Sequence, residues 1–362
     1  MISIIIPVYK ESKFLVKILN KLLNEKVKKE IIVVIDEPTK SSLKIAKKFK
    51  RKVKFLINGK RIGKVEALNK AVKIAKGNIF LFLDSDIEIP SRNFLKKILN
   101  KMDEYDLLDI KKVTIQNSFF AKLSYFEYIS YNFVNLLISR YAKKSFGING
   151  AAFAIRKKAF EKIKNFSKVI SEDADFGTKS LKNNLRFGFA NDIYVKVSAP
   201  SKLNQFIEQR KRWGVGIGEW IKKDWRILKK GVKKYPFVLI SLPIFFPTFF
   251  FILASYFLLK NFLLPKASYW ILLPFLYRFN FILPISYIFF ITPFFQSIIF
   301  TLGFFALYSI FFFIISKILK VKFNLFWFFL YLFFYQPFTF TLMLGGIFAY
   351  LIKKDVKLDW KV

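Results

Sequence analysis

The sequence predicts an open α/β domain followed by an all-α block suited to a membrane. Three observations lead there. Short apolar runs alternate with amphipathic stretches over residues 1–87. Charge is unevenly spread, with 52 Lys/Arg and 22 Asp/Glu in residues 1–235 against ten and two in residues 236–362. The C-terminal part holds charge-free runs long enough to cross a bilayer of about 30 Å. A formal charge of +38 beside 54% hydrophobic residues and 48 Phe, in 362 residues, fits such a division better than one uniform globule.

The elements follow in order. ISIIIPV (2–8), EIIVVID (30–36), VKFLI (53–57) and NIFLFLDSD (78–86) read as strands, with helical patterns over 12–26, 40–50 and 64–75 between them. The strand runs are continuously apolar, as parallel strands covered by helices on both faces require. Ligands of such sheets bind at the carboxyl ends of the strands, and Asp36, Asp84 and Asp86 sit there. From 88 to 203 the alternation weakens. Residues 119–141 read either as an interfacial helix or as a buried core helix. Residues 204–230, with Trp213, Trp220 and Trp225 among many Lys and Arg, read as a helix lying at a membrane surface. The uncharged run 236–259 predicts one span and 279–316 two, with a break near Pro293 and Gln296; 325–352 is the last, for four in all. The basic stretches 316–322 and 353–357 share a side only if 325–352 re-enters near Gln336-Pro337. Residues 267–277 are too short to read alone. The expected modules are therefore 1–203, 204–235, 236–352 and a basic tail, 353–362.

With no Cys and no His, thiol chemistry, imidazole bases and zinc or haem ligation by those residues are excluded. Acid–base work falls to Asp, Glu, Lys or Tyr, and a metal would be a hard cation such as Mg2+ or Mn2+ on carboxylates. Asp84-Ser85-Asp86, at a strand end, can aim two carboxylates at one such ion or form a solvated turn. Glu172, Asp173 and Asp175 can supply a base or simply favour a helix N-terminus. Pro7, Val8 and Tyr9 read as a strand end opening onto a ligand or as a plain turn. Asn149 and Gly150 admit close backbone approach or a simple turn, and Trp213 a stacked ligand ring or an interfacial anchor. No cleavable leader is visible at Met1, and residues 1–235 are expected in the cytoplasm.

IIIPVYKE (4–11), VVIDEPT (33–39), GKVEALNKA (63–71), DSD (84–86), NGAAFAIRKKAF (149–160), SEDAD (171–175) and QRKRW (209–213) occur in the order and approximate spacing of family 2 glycosyltransferases. Residues 1–215 resemble most the membrane-integrated branch, which includes cellulose and hyaluronan synthases and ceramide glucosyltransferase. The resemblance implies a Rossmann-like glycosyltransferase-A (GT-A) catalytic domain and an inverting, metal-dependent sugar transfer. It implies that Pro7, Tyr9, Glu11, Asp36, Lys64 and Ser85 lie with the nucleotide sugar, and that Asp84 and Asp86 hold Mg2+ or Mn2+. Asp173 matches the general base. Asn149, Gly150, Glu172, Gln209, Arg212 and Trp213 fall to the diphosphate and acceptor side. The expected partners are a nucleotide-diphospho-sugar, with a UDP-sugar favoured, a lipid or glycan acceptor and the bilayer, with no nucleic acid.

The sequence departs from the family at Glu37, where many relatives carry a second aspartate, and no transmembrane helix is expected ahead of the catalytic domain. The cellulose-synthase gating segment has no counterpart. The leading expectation is a multi-pass membrane enzyme that glycosylates a lipid or lipid-linked acceptor. A processive polysaccharide synthase is the enzymatic rival, and a basic protein that binds membrane or nucleic acid without catalysis is the alternative of another class.

Overall fold

The computed structural model describes residues 1–260, 278 and 285–352. Their strands form one sheet in the order β3-β2-β1-β4-β7-β6-β8-β5. These are β1 (Ile2–Tyr9), β2 (Lys29–Asp36), β3 (Lys54–Asn58), β4 (Ile79–Leu83), β5 (Ile87–Glu88), β6 (Leu107–Thr114), β7 (Ala152–Arg156) and β8 (Phe187–Val197). The first four run parallel, as their continuous apolar sequence predicts. β7 inserts antiparallel between β4 and β6, which is where the simple alternation of the sequence ends.

Helices α1 (Leu15–Leu23), α2 (Lys40–Phe49) and α3 (Lys64–Ile74) connect the parallel strands. Leu15, Ile18, Leu19 and Leu22 of α1 recur at helical spacing, and all four are buried. Thr39 starts α2 with a capping box: its Oγ1 accepts from Ser42 N at 3.2 Å, and Ser42 Oγ accepts from Thr39 N at 2.9 Å. The two faces of β4 serve different layers. Leu81 and Leu83 join the core with α1 and with α4 (Phe94–Lys101). Phe82 stacks on Phe153 at 4.8 Å between centroids, in an aromatic cluster that includes Phe160, Phe166 and Phe176. Phe160 belongs to α6 (Lys157–Ile163) and Phe176 to α7 (Glu172–Lys182). Each such ring contributes about 1.5–3 kcal/mol on burial, so the cluster holds α7 against the sheet.

α5 (Phe119–Tyr141) buries Phe126, Ile129 and Phe133 and packs on β6 and β8, so of its two readings the core helix is the one observed. α8 (Leu203–Lys234) is one 32-residue helix. Two of its tryptophans have partners within the protein. Trp220 Nε1 donates to Thr178 of α7 at 2.8 Å, and the Arg210 guanidinium lies 4.2 Å from the Trp213 ring. Trp225 is 57% exposed, between exposed Lys222 and Arg226.

The chain divides into two compact units, Leu242–Phe340 and the remainder, Met1–Ser241 with Thr341–Val362. In place of one straight span over 236–259, helical segments Pro236–Phe245 and Pro247–Tyr256 meet at 94°, where Pro247 lacks the N–H that would continue the first. The predicted break near Pro293 and Gln296 is also absent, because one helix runs from Ile285 to Ile318. Proline is tolerated within such apolar helices where neighbouring groups satisfy the freed carbonyl. Nor does 325–352 re-enter at Gln336-Pro337. A π-turn at Tyr331–Tyr335, with Gln336 N–H donating to Tyr331 O, precedes Pro337, and the run continues. Among the described residues, Gln296–Ile318 and Leu325–Ile352 are long and apolar enough to cross a membrane, and the bent pair makes a third if it counts as one span. The four-span expectation rests partly on 279–284, which, like 267–277 and the 353–362 tail, lies outside the described residues.

Candidate active site

The site is built at the reversal of strand order. β1 has β2 on one side and β4 on the other, and the carboxyl ends of β1, β2 and β3 are level, with Tyr9 beside Asp36 and Asp36 beside Asn58. Sheets of this kind bind ligands at that crevice.

Asp36 is buried and turns back on the protein. Its Oδ1 accepts from Asn58 Nδ2 at 2.9 Å, and its Oδ2 accepts from Ile62 N at 3.1 Å and Gly63 N at 3.0 Å. It thereby fixes the loop that starts α3. Gly63 has φ 95° and ψ 157°, a conformation essentially confined to glycine, and Lys64 is the first helical residue after it.

Lys64 then reaches across the cleft. Its Nζ lies 2.9 Å from Asp84 Oδ1 and 3.1 Å from Glu172 Oε1, joining the ends of β4 and α7. Burial alone would depress the pKa of Lys64, but Asp84, Glu172 and Asp173 outweigh it and raise the pKa well above its ordinary value. Burial also raises Glu172, with Lys64 opposing and Asp173 reinforcing that shift. Asp86 is exposed as a residue. Desolvation of its carboxyl in the cleft and the charge of Asp84 nevertheless push it up to about 6, against the pull of Lys64.

Asp173 faces the same cleft. Its Oδ2 accepts from Gly150 N at 3.1 Å and its Oδ1 from Ala174 N at 2.9 Å. Pro7, Lys64, Asp84, Gly150, Glu172 and Asp173 all line one cavity, floored by Leu68, Leu83 and Phe153. Asn149 accepts from Ala151 N at 3.1 Å through its Oδ1. On α8, burial lowers the pKa of Arg212 while Glu172, Asp173 and Asp84 pull it up, which places this guanidinium in the field of the site. Gln209 is half-buried on the same helix. At the outer rim, Tyr9 donates to Glu37 Oε2 at 3.1 Å and stacks with Arg61 at 4.6 Å, and Glu11 Oε2 accepts from Thr39 at 2.9 Å. Ser85 offers its carbonyl to Ser12.

The structure adds residues that motif reading passed over. Glu127 of α5 accepts from Arg210 Nη2 at 2.7 Å. Tyr128 hydrogen-bonds with Asn149; burial first, then Asp86, raises its pKa above the ordinary tyrosine range. Burial and the charges of Asp109 and Asp173 raise Tyr131 likewise. Their signal is a polar stripe along an apolar helix, at Ser124, Glu127/Tyr128, Tyr131 and Asn135. Beneath it, Lys112 and Asp109 of β6 form a fully buried ion pair, and Asn135 donates to Asp109 at 2.8 Å.

Positions 3–164 match the model of glycosyl transferase family 2. The match ends before Glu172, Asp173 and the QRKRW segment. The chain is 27% identical to an uncharacterized glycosyltransferase of Methanocaldococcus jannaschii over 222 residues, 59% of this chain and 75% of the relative. It is 25% identical over 256 residues, 62% of this chain and 75% of the other, to a dolichyl N-acetyl-alpha-D-glucosaminyl phosphate 3-beta-D-2,3-diacetamido-2,3-dideoxy-beta-D-glucuronosyltransferase of Methanococcus voltae. The α/β region has a GT-A-like fold. The mannosyltransferase PcManGT of Pyrobaculum calidifontis, solved with GDP-Man and Mn2+, superposes with TM-score 0.54 at 17% identity, over 70% of this chain and 74% of that one.

Proposed function

We propose that this chain is a membrane-integrated, inverting glycosyltransferase that moves a sugar from a nucleotide-diphospho-sugar to a hydroxyl of a lipid or lipid-linked acceptor. The observation that carries the reading is the convergence of Lys64, Asp84, Gly150, Glu172 and Asp173 on one cleft at the ends of β1 and β4. The family 2 match and the Methanococcus voltae relative, named for a dolichyl-phosphate-linked acceptor, support it.

In this reading Asp173 takes the proton of the acceptor hydroxyl while that oxygen bonds to the anomeric carbon. The bond from that carbon to the diphosphate breaks on the opposite face, so configuration inverts and a nucleoside diphosphate leaves. Gly150 N–H and Ala174 N–H hold the carboxylate of Asp173 in place. Lys64 and Arg212 are the cations available to the departing diphosphate. Pro7, Tyr9, Glu11, Asp36 and Ser85 belong to the donor side. Asn149, Glu172, Gln209 and Trp213 belong to the diphosphate and acceptor side, with Asp36 acting through the loop it holds.

The donor set fits Mg2+ or Mn2+. Asp84 and Asp86 are hard oxygen ligands, and the repulsion between two neighbouring carboxylates is what a dication relieves. When bound, such an ion neutralises charge developing on the diphosphate. Glycosyltransferase integration in a bilayer is supported by the apolar helices and by Trp225 among exposed basic residues of α8, with the α/β domain on the cytoplasmic side.

The test is a screen of UDP- and GDP-sugars against membranes carrying the full chain, with lipid extraction of the product. The expected result is one discrete glycolipid, lost in excess chelator. A ladder of products would favour a processive synthase, and full activity in chelator would remove the metal from the mechanism.

A further inference from the structure

We infer that Lys64 guards the cation position: its ammonium stays on Asp84 until a diphosphate draws it away, so that metal and donor bind as a pair rather than metal first. This rests on the reading of Asp84 and Asp86 as metal ligands.

Two observations carry it. First, Lys64 Nζ bridges Asp84 Oδ1 at 2.9 Å and Glu172 Oε1 at 3.1 Å, so one of the two proposed ligands already holds a cation. A dication approaching Asp84 meets a positive charge at van der Waals range, and that repulsion is strong inside a desolvated cleft. Second, among the described residues no group of three or more Asp or Glu is gathered to hold a metal. A protein that offers one or two carboxylates leaves the remaining positions to substrate phosphates and water.

A diphosphate changes both terms at once. Its oxygens supply the missing metal ligands, and its charge gives Lys64 another partner. The backbone of Lys64 is fixed by Gly63 and Asp36, and a flexible four-carbon stem is the kind of side chain that can carry its ammonium from one anion to another. Lys64 then serves the leaving diphosphate only when the donor is present, which keeps a bare metal site from forming in the empty enzyme.

The experiment measures Mn2+ binding to the full chain in detergent from the spin-resonance signal of free Mn2+, with no nucleotide, with UDP and with GDP. Wild type should bind Mn2+ weakly alone, and the nucleotide it accepts should tighten binding at least about tenfold. Lys64→Met should tighten binding of Mn2+ alone by at least about tenfold and shrink the gain from nucleotide. Because Lys64→Met leaves Glu172 buried without its counter-charge, the double variant Lys64→Met/Glu172→Gln is measured beside it and should show the same tightening. Equal or weaker affinity for Mn2+ alone in both variants overturns the guard. If neither UDP nor GDP alters any curve, the donor reading fails, while the comparison without nucleotide still decides the role of Lys64. No Mn2+ binding to any protein under any condition overturns both.

Discussion

Asp173 has a backbone N–H on each of its carboxylate oxygens, from Gly150 and from Ala174, and these fix its orientation. Asp173→Asn keeps the shape and one acceptor oxygen but removes the proton acceptor. Single-turnover rate should fall by about 10²–10⁴ while donor affinity, measured by calorimetry on the same sample, changes little. A rate within a few-fold of wild type, or a product with the donor's anomeric configuration, refutes the assignment. The buried pair of β6 makes a separate forecast. Lys112→Met leaves Asp109 charged and enclosed, which should cost about 3–5 kcal/mol in urea titration, whereas the double variant Lys112→Met/Asp109→Asn should recover most of that loss. Equal losses for the two would mean that the pair is not the source. Of these residues, Asp84, Asp86 and Asp173 were legible in the sequence because their positions follow from strand ends and ordered motifs. Lys112 and Asp109 were not. LLDIKKVT carries three charges, and only the placement of β6 between β7 and β8, beneath α5, shows them enclosed.

The elements divide along the same line. Strands β1 to β4 and the three helices between them were readable, since buried parallel strands are apolar on both faces and their helices carry one apolar stripe. β8 was not. Its pairing is set by long-range partners, and β6 and β8 shift register between Ile110 and Lys111, which breaks the period from which a strand is read. α5 was visible as a helix, but its polar stripe gained meaning only when the fold set Glu127 and Tyr128 against Arg210 and Asn149. The loop from β3 to α3 is the element on which Lys64 depends, and it can be tested directly. Gly63→Ala places a side chain at φ 95°, which should cost about 1–3 kcal/mol. The hydrogen bond from Gly63 N to Asp36 should weaken with it, so donor affinity should fall together with the denaturation midpoint. An unchanged midpoint would show that the loop relaxes at no cost, and that Asp36 does not act through it.

At the scale of the whole molecule, the chain leaves its α/β unit at Ser241 and returns to it at Thr341. The helix Gln336–Ile352, which sequence reading assigns to the membrane block alone, therefore has its second half packed with the unit that contains α8. The seam is a backbone-to-backbone approach just after Trp213. A Cβ at Gly346 would lie 2.9 Å from Gly214 Cα, from Lys211 O and from Val215 N, whereas a Cβ at the adjacent Gly345 meets nothing within 4 Å. Backbone atoms cannot step aside as a flexible side chain does, so the two glycines should respond differently to the same substitution. Gly346→Ala should push the last helix off α8, destabilise the protein by about 1–3 kcal/mol and reduce turnover, because Arg212 and Trp213 lie on the turn that it packs against. Gly345→Ala, also within a helix and facing open space, should be neutral or slightly stabilising and leave turnover alone. Thermal melts and initial rates of the two variants in the same detergent decide the matter. If both behave alike, the last helix is not docked on the QRKRW segment, and the terminal apolar helix has no part in positioning Arg212.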